Sequence, residues 1–155
     1  MRPRKPGSKR YLKAPLIVYE KRMEQMDKLL DELQDFVNQG SIIVVEGKRD
    51  VVALKSLGIR GEFRLATHHS LVNFCEELAK TGKQIVILTD WDRRGNILAD
   101  KLVENLHALG VNPDTRIRDL VVSLVQKEIK DIESLPGYVG KLRQITTGTD
   151  ATDSL

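Results

Sequence analysis

Apolar positions lay out the elements of this chain. Tyr19, Met23, Met26, Leu30, Leu33 and Val37 recur at three- and four-residue steps, with Leu29 and Phe36 beside them and charges on the opposite side. That spacing predicts an amphipathic helix over 16–38, stopped by Gly40. It is also close to a heptad, so the same helix is a candidate seam for a homodimer. The run "SIIVVEG" (41–47) has no helical period and is rich in β-branched residues, which predicts a strand buried on both faces, as in a parallel sheet. Helical spacing returns in "DVVALKSLG" (50–58), with Gly58 as its stop. "GEFRLAT" (61–67) is a weaker strand, and Ser70 or Thr67 suits the N-cap of a helix that Gly82 ends. "QIVILTD" (84–90) is the second strong buried strand, and "GNILADKLVENLHALG" (95–110) is a helix closed by Gly110.

No clear fourth strand follows Gly110. "LVVSLV" (120–125) alone would suit one, but Ile117, Leu120, Val121, Leu124, Val125 and Ile129 continue in helical register, which favours a helix. "DIESLPGYVGKL" (131–142) reads as a turn and a short helix. The alternation of strand and helix predicts an α/β, Rossmann-like fold. Its central sheet is mostly parallel with helices on both faces, preceded by an amphipathic helix and followed by a helical extension. The expected organisation is a disordered basic arm (1–15), an N-terminal helix (16–40), one α/β domain with its extension (41–143) and a disordered tail (144–155).

Composition adds three points to this picture. One cysteine, Cys75, excludes an internal disulfide and a Cys-rich zinc site. No apolar run approaches the roughly 20 residues that cross a bilayer, and the basic start leads into no signal-peptide core, so a cytoplasmic setting without membrane contact is expected. The net charge of +3 conceals an asymmetry: Arg2, Arg4, Lys5, Lys9, Arg10 and Lys13 precede the first acid, Glu20, and without those six the remainder carries −3. A basic arm suits a polyanion, because each phosphate contact releases condensed counterions.

The chemistry gathers at two strand ends. In an open parallel sheet, ligands bind beyond the carboxyl ends of the strands, where the strand order reverses. Glu46 ends the first strand, and Asp90 and Asp92 end the third. Residues two apart in an extended segment point the same way, so Asp90 and Asp92 should enter the crevice while Trp91 faces away. Three carboxylates brought together need a cation, and their hard oxygens suit Mg²⁺ or Mn²⁺. Gly47 and Gly95 permit tight turns and close approach of a phosphate. Lys48, Arg49, Arg93 and Arg94 are placed to hold phosphate oxygens or stabilise developing charge, with Lys48 and Arg93 as catalytic candidates. His68 and His69 precede a helix on a loop that should open toward the same crevice and are weaker candidates for a phosphate contact.

"VVEGKRD" (44–50) with "LTDWDRRG" (88–95) resembles the Toprim domain, shared by bacterial primases, topoisomerases, overcoming-lysogeny-defect nucleases and a ribosomal RNA maturation nuclease. The family's pattern is a Glu after the first strand and an Asp-x-Asp followed by a glycine after a later one; Glu46, Asp90, Asp92 and Gly95 match it. "KDIESLPGYV" (130–139) resembles the small stand-alone archaeal members. The resemblance implies that Asp90 and Asp92 bind Mg²⁺, that Glu46 is a general acid/base or a further metal ligand, and that the substrate is nucleic acid. Asn96 departs from the acid that topoisomerases often carry there, and Asp50 and Asp131 are weaker candidates for the acidic positions often found between or just beyond the family's two motifs. Tyr11, Tyr19 and Tyr138 have no context for a topoisomerase nucleophile. The expectation is a Mg²⁺-dependent nuclease acting on RNA or DNA. The alternative is a non-catalytic nucleic-acid-binding module or accessory subunit of a primase, topoisomerase or RNA-processing complex. A phospho-acceptor domain ranks last, because only one carboxylate follows the first strand.

Overall fold

A computed structural model of the chain describes residues 12–66, 70–125 and 127–148. Helix α1 (Leu16–Asn38) leads into strand β1 (Ile42–Val45), followed by α2 (Lys48–Ser56), β2 (Glu62–Leu65), α3 (Leu71–Lys80), β3 (Ile85–Ile87), α4 (Arg93–Ala108), α5 (Arg116–Val125) and α6 (Leu135–Thr147). The three strands form one parallel sheet in the order β2-β1-β3, with Ile42 opposite both Glu62 and Ile85. The β-branched runs were read correctly, because a strand flanked on both sides and covered on both faces has no polar face to show. A fourth strand is reduced to one parallel bridge, in which Asp114 exchanges backbone hydrogen bonds with Ile85 and Ile87.

Strand alternation divides the core into two layers. Ile43, Val45, Val86 and Leu88 pack with α1, α2, α5 and α6, whereas Ile42, Val44, Ile85 and Ile87 pack with α3 and α4. The chain steps from β1 to β2 in one direction and returns past β1 to β3, so the order reverses between β1 and β3. The crevice predicted for functional groups lies at their carboxyl ends.

Four residues of α1, Met23, Met26, Leu29 and Leu33, are buried in the chain's own core. The stripe that suggested a dimer seam therefore already has partners; the exposed apolar residues of this helix are Leu16, Ile17 and Val18. The helical reading of 117–129 holds only to Val125. The disorder expected from Gln144 starts too early, since α6 continues to Thr147. Leu142 is buried in the layer with α1, and such packing extends a helix beyond the reach of its weak local propensity. Among the described residues, no helix is long and apolar enough to cross a membrane.

Candidate functional site

Glu46 follows β1 directly and is buried; Asp90 lies three residues beyond β3 and is half-buried. The two loops meet: the Asp90 N–H donates to Glu46 Oε2 at 2.8 Å. Two further contacts hold Asp90. Its Oδ1 accepts the Ile132 N–H at 2.9 Å, and its carbonyl accepts from Arg118 Nη2 at 2.5 Å. Burial raises the Asp90 carboxyl to about 7; the Ile132 N–H opposes the shift, and the charges of Asp50, Glu46 and Asp131 reinforce it. Asp50 is buried beside them, accepts the Gly47 N–H at 3.1 Å and is itself raised by burial. Asp131 Oδ1 accepts the Ser134 N–H at 2.8 Å and so shapes the turn that delivers Ile132.

Asp92 behaves differently from its motif partner. It is exposed and caps α4, with Oδ1 accepting the Gly95 N–H at 2.7 Å. Capping residues are worth about 0.5–2 kcal/mol to a helix. Trp91 does turn away, as expected: it is buried in the layer with α1, α5 and α6, and its indole N–H donates to Ile129 O at 2.8 Å. Among the described residues, no three His, Cys, Asp or Glu side chains stand together as a ready-made ligand group.

Gly95 has a tighter reason to be glycine than the approach of a phosphate. A Cβ there would sit 2.0 Å from Asp90 O and 2.5 Å from Asp90 C, so the start of α4 lies directly against the Asp90 peptide. By contrast, a Cβ on Gly47 would meet nothing within 4 Å, which leaves open space in front of α2. We expect Gly95→Ala to push α4 off the Asp90 loop and to cost about 1–3 kcal/mol, the usual penalty for overpacking. Chemical denaturation checks this, with Gly47→Ala, which has room for its methyl, expected to change stability less.

Lys48 and Arg49 open α2, and Arg93 and Arg94 open α4, so both helix N-termini and all four cations stand at the strand ends. All four are exposed; Arg49 faces Glu133 at 3.8 Å, and the other three make no ion pair among the described residues. Lys13 lies elsewhere, on the rim of a groove of about 950 Å³ between the start of α1 and α6, with Tyr19, Arg22, Tyr138 and Lys141. Arg2, Arg4, Lys5, Lys9 and Arg10, and also His68 and His69, fall outside the described residues. His107 is at the far end of α4, with its Nε2 3.2 Å from Asn112 Oδ1.

The sequence reading missed Arg118. It is buried, and it donates to Thr89 O, Asp90 O and Asn96 Oδ1. Its one signal is register: residues 118, 121 and 125 follow helical steps, and all three are buried. A basic residue in the buried register of an apolar helix needs polar partners in the core. The departure at Asn96 is explained as well, because its amide oxygen serves Arg118.

A model of the Toprim domain matches residues 41–125. The UPF0292 protein of Methanosarcina barkeri is 55% identical over 83% of this chain and 90% of its own length. That of Methanocaldococcus jannaschii is 36% identical over 78% of this chain and 97% of its own. A solved structure, a putative protein from Aquifex aeolicus, is similar in fold, with a TM-score of 0.61 at 23% identity, covering 70% of this chain and 96% of that one.

Proposed function

The chain belongs to the Toprim-domain family, and on that premise we propose a Mg²⁺- or Mn²⁺-dependent protein that processes nucleic-acid phosphodiesters, a nuclease acting on RNA or DNA. The observation that carries this reading is the 2.8 Å bond from the Asp90 N–H to Glu46 Oε2, which joins the two halves of the motif across the crevice.

The residues suit a hard divalent cation. Glu46 and Asp90 meet, and a cation would offset the burial and, after it, the neighbouring negative charge that raise Asp90 to about 7. Asp92 commits one oxygen to its cap, and its Oδ2 accepts no hydrogen bond among the described residues. Mg²⁺ commonly takes only one or two carboxylates and keeps waters and phosphate oxygens in its other positions, so a preassembled three-residue cage is not required. Asp90 and Asp92, with Glu46 beside them, would hold the ion, which supplies neutralisation of phosphate charge and activation of water. Glu46 exchanges a proton with the attacking or leaving oxygen. Lys48 and Arg93 stabilise charge on the phosphate, while Arg49 and Arg94 extend the grip along the backbone, assisted by the two helix N-termini. The basic residues Arg2, Arg4, Lys5, Lys9, Arg10 and Lys13 add contacts to the nucleic-acid backbone.

End-labelled RNA and DNA, single- and double-stranded, incubated with Mg²⁺ or Mn²⁺, test the reading. Cleavage that stops with chelator and in Asp90→Asn is the expected result. The second reading, a non-catalytic binding module, draws support from the cap at Asp92 and the lack of a ready-made ligand group among the described residues. Tight, salt-sensitive binding without turnover would establish it in place of the first. For either, Arg93→Ala and Arg94→Ala should each reduce the slope of log affinity against log salt by about one, as loss of a phosphate contact does. Fluorescence anisotropy across a salt series measures this.

A further inference from the structure

We infer that Arg118 is the positioning residue of the site: it fixes the separation and orientation of Asp90 and Asp92 for the cation. The inference rests on the metal-site reading above and adds to it a residue outside the motif, on a helix that the motif does not contain.

Asp90 is held at each of its polar groups by a different part of the chain. Glu46, at the end of β1, takes its N–H; Ile132, in the turn before α6, donates to its carboxylate; Arg118, on α5, donates to its carbonyl. Arg118 also reaches the peptide before Asp90 and the helix turn behind Asp92. Its Nε donates to Thr89 O at 2.9 Å, and its Nη2 donates both to Asp90 O at 2.5 Å and to Asn96 Oδ1 at 2.7 Å. Asn96 belongs to the first turn of α4, the helix capped by Asp92, and its backbone N–H donates to Asp92 O at 2.9 Å. The Asn96 amide Nδ2 donates in turn to Trp91 O at 3.4 Å. One planar guanidinium thus ties the peptide before Asp90, the peptide after it and the helix turn behind Asp92 into a single unit.

The chemistry of that choice is specific. Arg118 is 8% exposed and makes no ion pair among the described residues; its partners are three neutral oxygens. Burying a cation is unfavourable, and the charges of Asp119, Asp100, Glu46 and Asp90 offset that cost only in part, so a hydrophobic residue would pack this helix position at lower cost. What arginine alone provides is a rigid fork with several donors in one plane. A lysine ammonium keeps the charge but not the fork, so it cannot hold all three oxygens in the same geometry. Residues that orient metal ligands without touching the metal change affinity when replaced, by roughly 10- to 100-fold.

The test compares Arg118→Lys with Val121→Ala. Val121 lies on the same helix, is buried, and belongs to the apolar layer, not to the loop. Mn²⁺ binding is followed by electron paramagnetic resonance, and amide exchange of residues 88–96 by mass spectrometry, on the full chain. We expect Arg118→Lys to weaken Mn²⁺ binding roughly 10-fold or more and to speed exchange in 88–96, while Val121→Ala, though less stable than wild type, keeps Mn²⁺ affinity within about twofold. Wild-type affinity in Arg118→Lys would overturn the inference and leave the metal site standing. Equal losses in both variants would also overturn it, by reducing Arg118 to general support of α5. Absence of Mn²⁺ binding by the wild type itself would instead remove the metal-site reading, and with it any positioning role toward a cation.

Discussion

Glu46→Gln should fold as the wild type does and lose about 10²–10⁴-fold in the rate of phosphodiester cleavage, the range set by removal of a general acid/base. The fold survives because glutamine keeps the side chain's shape and its amide oxygen can still accept the Asp90 N–H that Glu46 Oε2 takes at 2.8 Å. The reaction does not survive, because an amide cannot take up and return a proton. This substitution therefore separates a chemical role from a structural one better than Glu46→Ala, which would leave the Asp90 N–H without its partner and open a void beside a buried strand end. Single-turnover cleavage of a labelled oligonucleotide at saturating protein, alongside circular dichroism and a melting curve, reads both properties. Equal cleavage by wild type and Glu46→Gln would assign Glu46 to holding the Asp90 loop and nothing more.

The sequence was most legible where burial leaves a period or a break in one. Ile42–Val45 and Ile85–Ile87 could be placed because strands covered on both faces are apolar without interruption. Gly40 and Gly110 marked helix ends because they adopt positive φ, +93° and +79°. That Glu46 and Asp90 would meet followed from topology alone, since the order β2-β1-β3 puts the ends of β1 and β3 side by side. The details of the site were less accessible for a physical reason. Two of the three partners of Arg118 are backbone carbonyls, which every residue has, and the third is the neutral amide oxygen of Asn96, so no acidic partner in the sequence advertises the contact. Asp92 was assigned by motif to stand beside Asp90, but an aspartate three residues before a helical glycine N–H is equally an N-cap, and one of its oxygens takes that bond. Gly95 was read as a place for a tight turn and the close approach of a phosphate, whereas the group that comes close to it is the protein's own Asp90 carbonyl.

Asp90→Asn should make the metal-free protein more stable at neutral pH while removing its response to Mg²⁺. Burial and the neighbouring Asp50, Glu46 and Asp131 raise the Asp90 carboxyl from 3.8 to about 7. A carboxyl whose pKa is higher in the folded state holds its proton more tightly there than in the unfolded chain. Its contribution is therefore fully present below the unfolded value of 3.8 and is lost as pH rises to about 7. A rise of that size corresponds to about 4 kcal/mol, an upper figure because the loop can relax and the half-buried carboxyl is partly screened by water. Asparagine does not titrate, and its side-chain oxygen can still accept the Ile132 N–H. In chelator, the two proteins should thus be close in stability near pH 4, and the variant should lead increasingly up to about pH 7, beyond which the gap stays constant. Adding Mg²⁺ at about pH 8 should then raise the melting temperature of the wild type by mass action and leave the variant where it was. Urea denaturation from pH 4 to 8, with and without Mg²⁺, measures both effects. A gap that does not change with pH would mean that Asp90 ionises normally in the folded chain. A wild type indifferent to Mg²⁺ would mean that the crowded carboxylates at the two strand ends are relieved by something other than a divalent ion.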